Sequence, residues 1–138
     1  MLSEKDTIVA CSSPPGRGAI SLIRMSGDKA LSIIQKITKN KLKKQISVVK
    51  FPLNADLIEK CVLTIFKAPN SYTGEDIVEI STHGNPYIVE EVIKKCLDSG
   101  AKIANPGEFT LRAFLNNKLS LDQSEAVIEV INANSKAS

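Results

Sequence analysis

The stretch from residue 76 to residue 100 constrains this chain more than any other. Along Asp-Ile-Val-Glu-Ile-Ser-Thr (76–82), Ile77, Glu79 and Ser81 fall on one side while Val78, Ile80 and Thr82 fall on the other, the two-residue period of a strand. Within a few residues the period changes. Ile88, Val89, Val92, Ile93, Cys96 and Leu97 repeat at helical spacing behind Pro86, and Gly100 supplies a stop; proline suits a first helical turn and glycine a C-terminal cap. A strand that feeds an amphipathic helix calls for helices packed on a sheet. The expected class is α+β, with a mixed or antiparallel sheet and flanking helices.

Other segments fit that class. Residues 7–11, 19–25, 46–51, 61–66 and 101–104 have strand composition. Ser26-Gly27-Asp28 offers a helix start, after which Ala30, Ile33, Ile34 and Ile37 keep helical spacing. Residues 106–116 read as a short helix with Leu111, Phe114 and Leu115 inward. Ser120 and Gln123 form a capping box for a last helix running to about residue 132, with Ser124, Val127, Ile128 and Ile131 on one face. That helix either docks on this domain or opens a further one.

A length of 138 residues with 43% hydrophobic and 24% charged residues suits one packed domain and argues against wholesale disorder. Aromatics are only 4% and Trp is absent, so the core is expected to be Ile, Val and Leu. The same scarcity weakens any reading based on stacking of nucleic-acid bases. Cys11, Cys61 and Cys96 are far apart in apolar runs with no CxxC or Cys/His spacing, which supports buried free thiols rather than zinc or disulfides. Residues 1–10 do not read as a signal peptide, and no apolar run approaches a membrane span. The expected location is the cytoplasm, without membrane attachment.

Residues 36–50 hold six lysines (Lys36, Lys39, Lys41, Lys43, Lys44, Lys50) and no acid, while the remainder of the chain is net acidic. A solvated loop is the favoured reading of that run, with phosphate contact the alternative. Signatures of catalysis are absent: the sequence has no GxxxxGK[ST], GxSxG or HExxH. The single histidine, His83, lies between a strand and a helix start and reads as a structural or capping residue rather than a general base. The Pro14-Pro15-Gly16-Arg17-Gly18 turn exposes backbone N–H groups that suit either an anion or a plain structural role. Glu79 is the notable polar residue. A carboxylate in the middle of a strand is costly unless it is paired or faces a ligand. Arg24, near the end of the 19–25 strand, offers a structural ion pair as the alternative to a ligand site.

Taken in chain order, PPGRG, R-x-SG, PNSYTGEDIVEI, HG-x-P and NPGEFTLRAFLNNKLSLDQSEAV strongly resemble the N-terminal domain of the bacterial tRNA-modifying GTPases of the MnmE/TrmE family. The resemblance covers nearly all of residues 5–135 apart from the lysine-rich stretch and residues 53–59. Asn85 stands where a glycine is usual. The resemblance implies a fold similar to the tetrahydrofolate-binding domain of the glycine-cleavage aminomethyltransferase. It implies a reduced folate, of the 5-formyl-tetrahydrofolate type, bound at or near the interface of a homodimer, with Arg24, Glu79 and Lys118 at the contact positions. It divides the chain into a folate-binding and dimerisation domain (1–118) and the start of a helical domain (119–138). It further implies a Ras-like GTPase domain using GTP, Mg and K outside these residues, and a flavin-dependent partner of the MnmG/GidA type. With that partner the full protein would modify C5 of the wobble uridine of certain tRNAs. A purely structural dimerisation module and a stand-alone folate-dependent one-carbon transferase are the competing readings.

Overall fold

The computed structural model describes residues 6–137, with side chains through residue 133; the first half of the 1–10 stretch lies outside the described residues. The elements are β1 (Ile8–Cys11), β2 (Gly18–Ser26), α1 (Ala30–Thr38), β3 (Ile46–Pro52), β4 (Ile58–Phe66), β5 (Ile77–Gly84), α2 (Pro86–Asp98), β6 (Lys102–Ile103), α3 (Glu108–Leu115) and α4 (Leu121–Ala137). The strands form one sheet in the order β3-β4-β5-β2-β1-β6. All neighbours are antiparallel except β1 and β6, so the sheet is mixed and the fold is α+β.

One face of the sheet carries the core. Ile23 and Met25 of β2, Leu63 of β4, Val78 and Ile80 of β5 and Phe51 of β3 are buried there beneath Ala30, Ile33 and Ile34 of α1 and Val92 and Cys96 of α2. Each fully buried aliphatic side chain contributes about 1.5–3 kcal/mol of transfer free energy. The core is therefore aliphatic, with Phe51 its buried aromatic. Asn85 caps α2 by accepting a hydrogen bond from Tyr87 N at 2.9 Å, and Pro86 occupies the first turn, as suits an asparagine at a helix N-terminus. The expected capping box of α4 forms reciprocally: Ser120 N donates to Gln123 Oε1 (2.8 Å) and Gln123 N donates to Ser120 Oγ (3.1 Å).

Several boundaries differ from expectation. Ser26 does not start a helix. It remains in β2, and Gly27 turns the chain so that α1 begins at Ala30. Strand β4 begins at Ile58 rather than Cys61, because the whole 46–52 segment finds partners there. His83 lies inside β5, not after it. Where β2 and β5 meet, a Cβ at Gly84 would overlap the Gly18 carbonyl, so only glycine permits that approach. The largest correction concerns α3. Leu115 is exposed and Leu111 and Phe114 are half-buried, whereas Glu108, Thr110, Arg112 and Ala113 are buried. That helix turns its polar side inward.

Cys61 and Cys96 are buried, and Cys11 is partly accessible. Burial raises both buried thiols from 9.0 to about 12, with the Glu59 carboxylate adding to the effect at Cys61. Their contribution to stability is complete below pH 9.0 and is lost as pH climbs towards about 12. A disulfide-exchange reagent at pH 8 should label Cys11 quickly and reach Cys61 and Cys96 only on unfolding; three equally fast thiols would contradict this burial.

Candidate functional site

The second face of the sheet carries the polar residues. Thr64 of β4, Glu79 of β5, Arg24 of β2 and Ala10 of β1 are successive register partners, so they form one row across four strands. Arg24 Nε and Nη2 both donate to Glu79 Oε2, at 3.1 and 3.0 Å. The second oxygen, Oε1, takes no part in that pair. The mid-strand carboxylate thus has the ion pair with Arg24 that was one of the alternatives open from sequence, and its partner is also held from above. The Arg24 guanidinium carbon lies 5.5 Å from the centroid of Tyr72 and 5.6 Å from that of Phe109, each within reach of a cation–π interaction.

Those two rings come from the β5 approach and from α3, and a buried polar network positions both. Arg112 Nη1 donates to Glu75 Oε1 and Oε2 at 3.0 and 3.2 Å, and Nη2 donates to Glu108 Oε2 at 3.3 Å. Ser26 Oγ donates to Glu75 Oε1 at 2.8 Å and lies 2.8 Å from Thr73 Oγ1. Asn105 N donates to Glu108 Oε1, Asn116 Nδ2 donates to the Thr73 carbonyl, and the Tyr72 and Thr110 hydroxyls share a 2.9 Å hydrogen bond. Among the described residues no buried side-chain polar atom lacks a partner. The network binds residues 70–76 and α3 to the end of β2. Tyr72 and Phe109 therefore stand over Arg24.

Beside Arg24 is a cavity of about 430 Å³, whose lining includes Ala10, Tyr72, Asn105, Phe109, Val127 and Ile131. Its size and mixed lining suit a small organic ligand. A larger cleft of about 510 Å³ opens between α2 and the Pro14-Pro15-Gly16 turn. It is lined chiefly by apolar side chains, and no residue of the Arg24–Glu79 row reaches it. Arg24 is the charged residue in the lining of the smaller cavity and carries the Glu79 pair to its border, whereas Glu90 and Lys94 are the charged residues of the larger cleft.

Of the three residues singled out from the sequence, Arg24 and Glu79 come together. Lys118 does not line this cavity; it follows α3, donates its N–H to the Ala113 carbonyl, and lies close to Gly74. His83 is accounted for structurally: its N–H donates to Glu59 Oε2 at 2.9 Å, and Nδ1 lies 2.9 Å from the same oxygen. Sequence reasoning missed the Arg112 network and the two rings. Glu108 and Arg112 stand four residues apart, a legible helical pair. Glu75 is 37 positions from Arg112, and that separation gives no signal. Among the described residues there is no cluster of three His, Cys, Asp or Glu side chains placed for a metal, and no helix is long and apolar enough to cross a membrane.

Fold and site together define an α+β domain whose second sheet face carries a cross-strand Arg–Glu row beside a cavity. The chain belongs to the family described as GTP-binding protein TrmE N-terminus, whose model matches residues 7–118. It is 52% identical over 133 residues to the tRNA modification GTPase MnmE of Francisella philomiragia, covering 96% of this chain and 30% of that protein. Relatives of the same name from Francisella tularensis subsp. holarctica and subsp. novicida are 53% and 52% identical over the same shares. The chain thus spans under a third of the length of the curated relatives it matches.

Arg112 is 3% exposed between two carboxylates. Replacing it with Met strands both charges, so Arg112→Met should lower the unfolding free energy by about 3–5 kcal/mol. Urea denaturation measures this, and a loss below about 1 kcal/mol would contradict the assigned role.

Proposed function

We propose that this chain is the folate-binding and self-pairing domain of a tRNA-modifying GTPase, with the ligand taken into the cavity beside Arg24. The observation that carries the reading is Arg24, which lines a 430 Å³ cavity, lies under two aromatic rings and is paired with Glu79. A reduced folate of the 5-formyl-tetrahydrofolate type presents a flat pterin with adjacent N–H donors at one end and carboxylates at the other. Glu79 keeps Oε1 outside the Arg24 pair, an acceptor suited to those donors. Arg24 offers a planar cation for carbonyl or carboxylate oxygens. Lys118, near Gly74 and outside the cavity lining, would contact such a ligand only at its outer end.

Self-pairing has its own support. On the same sheet face, Ile46 and Val48 of β3, Val62 of β4 and Ile20 of β2 are 60%, 61%, 39% and 68% exposed. Ile46 extends the Glu79–Arg24 row through Thr64, Val48 and Val62 stand in the next row, and Ile20 in the row beyond. An uncovered apolar face of this kind marks an interface, and a second copy seated there would close the site. In the full protein a GTPase domain using GTP, Mg and K would supply the hydrolysis. A flavoprotein of the MnmG/GidA type would join it in modifying the wobble uridine of tRNA in the cytoplasm. This domain would contribute the folate and the pairing.

Calorimetric titration with 5-formyl-tetrahydrofolate should show saturable binding. Glu79→Ala should weaken it by about 10–150-fold, the worth of one charge-assisted hydrogen-bond pair at ~1.5–3 kcal/mol. A folded protein that gives no heat overturns the ligand assignment.

Light scattering should show a dimer that Val48→Asp converts to monomer while the far-ultraviolet spectrum is unchanged. A wild-type monomer overturns the pairing assignment.

A further inference from the structure

We propose that the lysine-rich edge where α1 ends and β3 and β4 meet is a docking surface for the phosphodiester backbone of RNA. In sequence the lysine run reads as a solvated loop, and two of its members have a sufficient local explanation. Lys36 lies in the last turn of α1 and Lys39 is its C-cap, where cations complement the helix dipole and the final carbonyls. Lys50 belongs elsewhere, since it pairs in register with Lys60 within the β3–β4 ladder. Lys41, Lys43 and Lys44 have no such explanation.

The fold adds a cation from another segment. Lys67, at the exit of β4, lines one cavity of about 360 Å³ together with Lys43 and Lys44. The backbone holds the two walls: Ile65 N donates to the Gln45 carbonyl at 2.8 Å, and Asn70 N donates to the Lys67 carbonyl at 2.8 Å. All three lysines are exposed, and none makes an ion pair with a described residue. Asp76, at the far end of the Lys67 loop, is engaged by Ala68 N instead. Gln45 and Asn70 line the same cavity with neutral hydrogen-bonding side chains.

Three like charges gathered around a concave surface whose lining holds no acid repel one another. They are relieved by an anion with closely spaced charges. Few aromatics accompany them; Phe66 is the ring in this lining. The contact therefore reads backbone charge and not base identity. RNA is chosen over other polyanions because the relatives are tRNA modification GTPases, so this choice rests on the family reading; the folate and pairing proposals play no part in it.

The test is fluorescence anisotropy of the chain with an unmodified tRNA transcript over a range of salt concentrations. Lys43→Glu/Lys44→Glu/Lys67→Glu should weaken binding at least about tenfold. It should also reduce the slope of log affinity against log salt by about two to three, close to one for each phosphate that a lysine no longer neutralises. Lys94→Glu/Lys102→Glu, on α2 and on the opposite sheet edge, should leave affinity within about twofold. Folate titration and thermal melting of the triple variant should match wild type, which separates this surface from the Arg24 cavity and from misfolding. Absence of tRNA binding by wild type, or equal losses in both variants, overturns the proposal. So does patch-dependent binding to vesicles of phosphatidylserine in phosphatidylcholine without binding to tRNA.

Discussion

Arg112, buried between Glu75 and Glu108, is the contact on which the second face of this molecule depends. A guanidinium out of water is tolerable only when its donors are used, and here they meet two carboxylates from different segments. Glu75 belongs to the loop that enters β5, and Glu108 to the first turn of α3. Ser26 and Thr73 extend the network to the end of β2. A helix that buries charge where it would ordinarily bury leucine can be held in only one orientation. That orientation brings Phe109 over the sheet beside Tyr72.

The sheet therefore has two characters. Its first face is a conventional aliphatic core beneath α1 and α2. The second is part covered and part open. Over β1 and β2 the α3–α4 pair and residues 70–76 enclose the cavity next to Arg24. Over β3 and β4 the apolar side chains of Ile46, Val48 and Val62 stay exposed. The Arg24–Glu79 pair lies at the boundary, where one element has ended and another surface could close. Arg24 partners Glu79 through one carboxylate oxygen, and the second oxygen stays outside that pair.

Much of the fold was legible in the sequence. The 76–82 alternation, the α2 stripe behind Pro86 and the Ser120–Gln123 box each rest on contacts within a few residues, and each appears where its spacing put it. Glu79 was legible as an anomaly, and the pairing with Arg24 as one resolution of it. The inward side of α3 was not legible. Hydrophobicity pointed to Leu111, Phe114 and Leu115, but the buried positions are Glu108, Thr110, Arg112 and Ala113, and Arg112 meets Glu75 from a distant segment.

By itself the sequence determined the kind of elements, their order, the aliphatic core and the family, because periodicity and long motifs are local properties of the chain. Tertiary structure alone decided that Glu75 meets Arg112 across 37 positions, that Lys67 joins Lys43 and Lys44, and that Lys118 stands away from the cavity beside Arg24. Those outcomes depend on strand order and register, which set the distance between residues far apart in sequence and leave no trace in their spacing.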